Sequence, residues 1–284
     1  MFRSPQLISN EVPAGPGRVA LVFEYDGAEF HGWQQQKSGV PSVEAVLTKA
    51  IAKVAAHPIE LVCAGRTDAG VHAAYQVVHF DTQVVRSQRS WVMGINTHLP
   101  ASVTVHWAGA VAEDFHARFS AFYRRYRYVI VNSDVRPALF RGQLSWTYQA
   151  LDAELMHQEA QVLAGEHDFS AFRAAECQSK SAKRNVTAIS VARQGRFVIL
   201  DVQANAFLHH MVRNFAGSLM AIGCGKQPPG WLADVLASRD RRQAGITAQP
   251  NGLYLVDVGY PEHFGIPVAD PGPSIVRDLM IGEA

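Results

Sequence analysis

Residues 18–25 read RVALVFEY, a run of β-formers closed by Asp26-Gly27, and they predict a strand. The apolar pattern then takes a helical period: Val43, Val46, Leu47, Ala50, Ile51 and Val54 fall on one face. Ser42 is placed to cap this helix and Pro58 to stop it. Residues 59–64 predict a second strand, residues 75–80 a third, residues 87–97 a weaker helix ended by Pro100, and residues 103–111 a fourth strand. The order is β-α-β-β-α-β, the split βαβ unit of ferredoxin-like folds.

The rest of the chain repeats that order. Residues 123–131 predict a strand and residues 152–163 a helix. Residues 186–193 and 197–203 predict a hairpin around Gln194-Gly195. Leu208, Met211, Val212, Phe215 and Leu219 form the apolar stripe of a further helix, followed by a short helix over 229–237 and a closing strand over 252–258. The halves share no obvious sequence repeat, so the duplication is one of architecture. The expected class is α+β: two ferredoxin-like (RRM-like) halves joined into a continuous sheet, with a central active-site cleft. The expected division is a flexible N-terminal extension over 1–17, one half over 18–114, the other over 115–264, and an extended tail over 265–284 that carries Pro267, Pro271 and Pro273.

Composition narrows the class. The 284 residues are 48% hydrophobic and 18% charged, enough to bury a real core. No apolar stretch is long enough to span a bilayer, and the first residues lack the apolar core of a signal peptide. Cys63, Cys177 and Cys224 are odd in number and widely spaced, which argues against a disulfide framework or a zinc knuckle. The expected location is the cytoplasm, with no membrane partner.

Net charge is only +1, but it is unevenly spread. Residues 115–145 hold six arginines and one acid, and residues 173–196 hold six basic residues and one acid. Two basic runs on a nearly neutral chain fit either solvated faces or contact with a polyanion.

Candidate chemistry centres on residues 63–73, CAGRTDAGVHA. Asp68 and Arg66 lie in a turn framed by Gly65 and Gly70, between two predicted strands. Gly and Asp are ordinary turn residues, so local chemistry reads first as a structural turn and second as a catalytic acid. Twelve histidines include no HExxH motif. His209 and His210, taken as neighbours on a helix, would diverge by about 100°. His72 and His79 have no partners at ligand spacing. No metal is expected, and without a GxGxxG or phosphate loop no nucleotide cofactor either. A two-carboxylate glycosidase would need a second acid facing the first, and none lies near Asp68 in sequence. In AFYRRYRYVIV, residues 121–131, strand alternation puts Arg124, Tyr126, Tyr128 and Ile130 on one face. Arg125, Arg127, Val129 and Val131 take the other. The mix suits either a half-buried strand or a surface that stacks bases and binds phosphate.

Over residues 18–260 the chain resembles the tRNA pseudouridine synthase A (TruA) family. The matching stretches are EYDGAEFHGWQ, CAGRTDAGVHA, INTHLP, DFHARFSAFYRRYRY, GEHDFSAF, NAFLHHMVRN and GLYLVDVGYP, in that order. The resemblance implies isomerisation of uridine to pseudouridine at positions 38 to 40 of the tRNA anticodon stem-loop, without cofactor or metal, by a homodimer. It makes Asp68 the required carboxylate; attack at C1′, attack at C6 and assistance to a proton abstraction all stay open. It implies that Arg66 and Arg86 help flip the base, that Tyr126 stacks on the uracil and moves a proton, and that Arg213 pairs with Asp68 and keeps it ionised. It further implies tRNA contacts by Phe115, His116, Ala117, Arg118 and Phe119, and by Glu176, Cys177, Gln178, Ser179 and Lys180. A noncatalytic RNA-binding protein with paired RRM-like sheets is the alternative; binding alone gives it no use for a carboxylate beside a polyanion.

Overall fold

The computed structural model describes residues 13–269 and Gly272. The first half runs β1 (Pro13–Ala14), β2 (Gly17–Tyr25), α1 (Val43–Ala55), β3 (Val62–Cys63), β4 (His72–Thr82), β5 (Arg86–Ser87), α2 (Gln88–Asn96) and β6 (Val103–Ala110). The second runs β7 (Tyr123–Asn132), β8 (Ser145–Thr147), α3 (Ala153–Ala160), β9 (Gly165–Asp168), β10 (Lys183–Gln194), β11 (Phe197–Ala204), α4 (Met211–Gly223), α5 (Trp231–Ser238) and β12 (Leu253–Gly259). Side chains start the helices where the sequence suggests. Ser42 Oγ accepts from Ala45 N–H at 3.4 Å, and the Asp152 carboxylate accepts from Leu155 N–H at 2.9 Å. The α1 stripe of Val43, Leu47, Ala50 and Ile51 is buried.

The main sheet follows the path β6-β2-β4-β12-β7-β11-β10-β9. Within it each half keeps the ferredoxin order of fourth, first, third and second strand: β6-β2-β4-β3 and β12-β7-β11-β10. The halves meet where β12 pairs in parallel with the start of β4, through Tyr254↔His72 and Leu255↔Ala73. β3 takes the other end of the same edge, through Val62↔His79 and Cys63↔Val78. The strand expected over 59–64 is realised as two residues, Val62–Cys63. The chain leaves β4's edge early, which frees the following turn to hold a side chain at the seam.

One contiguous core runs through both halves, from Val19, Phe23 and Leu47 to Phe172, Phe215 and Leu219. The alternation read in residues 123–131 is realised: Tyr126, Tyr128 and Ile130 enter this core, while Val129 and Val131 pack into a small cluster with Ile199 and Val256. Two boundaries move. Residues 13–17 of the expected extension belong to the fold, because β1 pairs with β5 and Trp91 Nε1–H donates to the Ala14 carbonyl at 3.0 Å. Of the tail, Pro267 accepts a hydrogen bond from Tyr75 and Gly272 one from Arg127; residues 1–12 and most of 270–284 lie outside the described residues. Among the described residues no helix is long and apolar enough to cross a membrane.

Candidate active site

Asp68 stands in the turn between β3 and β4, and two glycines earlier in the chain explain how that turn is held. A Cβ on Gly27 would lie 2.0 Å from the Val71 carbonyl oxygen. One on Gly32, whose φ is +89°, would lie 2.7 Å from that of Thr67. Only glycine lets the loop after β2 press backbone to backbone on the turn. Trp33 N–H then donates to the Thr67 carbonyl at 3.0 Å, Tyr25 and Thr67 share a hydroxyl pair at 2.8 Å, and the Gln76 amide donates to the Gly65 carbonyl at 2.8 Å. The backbone on both sides of Asp68 is fixed, and its side chain is left partly exposed.

The partners of that carboxylate come from the other half. Arg213, in the first turn of α4, donates from Nη1 to Asp68 Oδ2 at 3.1 Å and from Nε to the Ala248 carbonyl at 2.8 Å. His209 Nε2 lies 3.2 Å from Asp68 Oδ1, and His210 Nε2 lies 3.3 Å from Oδ2. This corrects the expectation that the two rings diverge. They precede α4 rather than lie on it, and His210 takes a left-handed conformation with φ 62° and ψ 5°. That backbone, unfavourable for a non-glycine residue by about 1–2 kcal/mol, brings the rings to 4.0 Å from each other over one carboxylate. Burial lowers the His210 pKa; Asp68 opposes the shift, and His209 and Arg213 add to it.

Asp68, His209 and His210 set three ligand-type atoms within 4.8 Å of one another, an arrangement that could hold a metal ion. The Arg213 guanidinium and the N-terminal end of α4 both oppose a cation there.

Tyr126 is brought to the same place. Its ring meets Phe207 edge-on at 5.0 Å, and its hydroxyl would lie 3.7 Å from a Cβ on Gly65. Burial, the dominant cause, and the nearby Asp68 hold its phenol well above the usual range, against the pull of Arg124. Arg66 is exposed on the turn, and its guanidinium makes no hydrogen bond or ion pair with the described residues. Arg86 is not brought to Asp68. It lies past the far end of β4, whose 11 residues span roughly 36 Å when extended, and its Nε donates to the Val54 carbonyl at the end of α1.

The arginines of β7 do not form a phosphate-binding face. Arg124 is buried and donates to the carbonyls of Ala64, Ala121 and Arg118, which ties the chain before β7 to the start of the Asp68 turn. Arg125 and Arg127 both bind the buried carboxylate of Asp201, at 2.7 Å and 2.8 Å. Charge patterning along the chain missed Asp201 as their partner, because it lies 76 and 74 residues away.

The two expected tRNA-contact segments divide in a similar way. Phe115 and Ala117 are wholly buried, so their side chains cannot touch RNA; Phe115 packs on Tyr260 and Phe264. Phe119 is 74% exposed, stacks on His116 at 4.3 Å and carries the Arg118 guanidinium 5.5 Å above its ring. In the second segment Glu176, Gln178 and Lys180 are exposed, while Cys177 and Ser179 are half-buried. Arg173 holds this loop through the Cys177 and Ser179 carbonyls, and Cys177 Sγ accepts from His209 N–H at 3.5 Å. The loop therefore adjoins Asp68's histidines.

A family profile described as tRNA pseudouridine synthase matches residues 21–120 and 160–261. A protein of Shewanella denitrificans named tRNA pseudouridine synthase A is 56% identical over 261 residues, 92% of this chain and 100% of its own. Proteins of the same name from Aeromonas hydrophila and Pseudomonas aeruginosa are 54% identical over 265 residues and 50% identical over 275. These alignments cover 93% and 97% of this chain and 98% and 96% of the relatives.

Proposed function

The chain belongs to the tRNA pseudouridine synthase family, and from that premise we propose that it isomerises uridine to pseudouridine at positions 38, 39 and 40 of the tRNA anticodon stem-loop, as a cytoplasmic homodimer. The observation that carries this reading is the Asp68 carboxylate, presented by the 18–114 half and grasped by Arg213 from the 115–264 half.

In the proposed reaction the C1′–N1 bond breaks, the uracil turns, and C5 bonds to C1′. Asp68 is the nucleophile at C1′: one of its oxygens bonds to that carbon as N1 leaves with the bonding pair, and is displaced again as a carboxylate when C5 bonds there. Arg213 and His210 both lie against Oδ2, while Oδ1 faces His209. The base must leave its stack, at a cost of a few kcal/mol. Arg66, exposed on the turn, serves that extrusion, and the Tyr126 ring receives the base. The positions available for the tRNA backbone are Arg118, Phe119 and the 176–180 loop. Arg86, remote from Asp68, has at most a contact with a distant part of the tRNA.

The test is to incubate the purified full chain with tRNA and map pseudouridine. Conversion at 38–40 by the wild type, abolished in Asp68→Asn with tRNA affinity retained, is expected. Release of free uracil would make the protein a nucleoside hydrolase, and tRNA binding without conversion would make it an RNA-binding protein.

A further inference from the structure

A second concave site lies away from Asp68. An open cavity of about 570 Å³ is lined by His57, Glu60, His79, Gln83 and His116, with Arg18 and Asp81 on its wall. Its size falls in the range of small-molecule clefts, about 300–1,000 Å³. His79 lies seven residues beyond His72 on β4, roughly 23 Å at strand rise, so the cavity is not where Asp68 acts. Resting on the reading of tRNA as the substrate, we propose that this cavity holds a second, unpaired base of the bound tRNA, one with a carbonyl beside a ring N–H: uracil or guanine.

The imidazoles define what the cavity offers. His79 is 4% exposed, and its Nδ1 accepts from Ala117 N–H at 3.1 Å. His116 Nδ1 accepts from the N–H groups of Arg118 and Phe119, both at 3.2 Å. A ring nitrogen that accepts carries no proton, so the hydrogen of each neutral ring sits on Nε2. Neither Nε2 has a partner among the described residues. Burial, the largest cause, lowers the His79 pKa to about 4 and lowers that of His116 as well. The cavity is thus left with two open N–H donors, and neither ring offers a free lone pair to a metal. His57 is closed: its Nδ1–H donates to the Pro58 carbonyl and its Nε2 accepts from the Thr82 hydroxyl, both at 2.8 Å.

Charge narrows the ligand. Arg18 is fully engaged, by the Asp81 carboxylate at 2.8 Å and 2.9 Å and by the carbonyls of Glu113 and Phe115. The exposed Glu60 makes no hydrogen bond with the described residues, which leaves the lining net negative. Such a lining repels a phosphate. It matches an uncharged group with acceptors for the two N–H donors and a donor for Glu60. Uracil and guanine carry both on one edge, whereas adenine and cytosine present an amino group where those bases have the carbonyl.

The neighbourhood points to RNA. Phe119 is 74% exposed, stacks on His116 at 4.3 Å and carries the Arg118 guanidinium 5.5 Å above its ring. An exposed aromatic ring and an arginine beside a hydrogen-bonding cavity suit the uptake of splayed RNA bases. One base in the cavity and a neighbour on Phe119 hold the tRNA in register while another base meets Asp68.

The experiment probes tRNA bound to the full-length protein. Carbodiimide modifies unpaired uracil and guanine at the ring N–H, and dimethyl sulfate modifies adenine and cytosine. The wild type should protect one unpaired uracil or guanine besides the reacting base. His116→Phe keeps a ring beneath Phe119 but has no N–H, and Gln83→Trp fills the cavity edge while leaving both histidines in place. Both should expose that base again and lower tRNA affinity about tenfold, with thermal melts confirming the fold. Protection that survives both variants overturns the proposal. So does loss of an adenine or cytosine protection instead, or loss of ethylation interference at one phosphate with no base affected. Pseudouridine formed with no second base protected overturns this inference and leaves the proposed function standing. A protected second base without pseudouridine does the reverse.

Discussion

Gly217 lies so close beneath Ile246 that a Cβ on it would fall 1.8 Å from the Ile246 carbonyl oxygen. The contact presses the segment 245–248 onto α4, and Ala248 in that segment accepts from Arg213 Nε at 2.8 Å. Gly217→Ala should force the two backbones apart. Overpacking typically costs about 1–3 kcal/mol, so a lowered Tm is expected. Activity should fall further than stability alone explains, since the segment that aims Arg213 is the one displaced. Thermal melts and single-turnover rates on the same sample below the melt decide it; a variant that loses stability but keeps its rate would separate the contact from the site.

Arg213→Lys tests whether charge alone suffices. The guanidinium reaches Asp68 Oδ2 and the Ala248 carbonyl at once; an ammonium is a point charge and cannot bridge both. The single-turnover rate should drop at least about tenfold, a barrier change of ~1.4 kcal/mol. tRNA affinity should change little. A lysine variant with wild-type rate would show that the bridging geometry is dispensable.

Salt dependence should assign the basic run after residue 173. Lys180 and Lys183 are exposed, and replacing both by Ala should flatten the fall of log affinity with log salt. Arg184 is different, for it donates to the Ser181 and Lys183 carbonyls and to Ser179 Oγ. Its replacement should loosen the loop and lower Tm. An unchanged slope in the double lysine variant would leave those two charges as solvated surface.

Asp26 offers a test against pH. Its hydrogen bond with His72, first, and then those from Ala28 N–H and Gln143, lower its pKa from 3.8 to about 2 despite burial. A carboxylate depressed in the fold stabilises it above its unfolded pKa and ceases to as pH falls toward the folded one. The stability lost in Asp26→Asn should therefore be full at neutral pH and shrink between about pH 4 and pH 2. Denaturant melts of both proteins across that range would show it, and a gap independent of pH would trace the loss to packing instead.

The order of elements along the chain was legible because the apolar period of each element agreed with its end signals, as at Ser42, Pro58 and Gln194-Gly195. The seam was less so. Nothing in residues 59–64 announces that β12, nearly 200 residues later, will pair with the start of β4 on the same edge. Asp68 stood out through its motif. Arg213, Tyr126 and the 176–180 loop came from family resemblance, and all lie at or beside the turn. His209 and His210 were misjudged for a specific reason. Helical spacing was extended back over residues whose backbone turns left-handed, and no side-chain pattern signals that reversal. For Arg124, Arg125 and Arg127 two readings stayed open in the sequence, because burial and a distant acid decide their role, and charge counted along a chain sees neither.

The shared edge of β4 also orders events in time. β12 is the last strand among the described residues, and it completes an edge that β3 begins. A growing polypeptide presents the Asp68 turn early, when Arg213, both histidines and the segment that aims Arg213 have yet to be synthesised. A prematurely ended or still-emerging chain carries the carboxylate without anything to grip it. Such a fragment lacks the three groups that surround the Asp68 carboxylate, so the site is assembled only when the later half has been made.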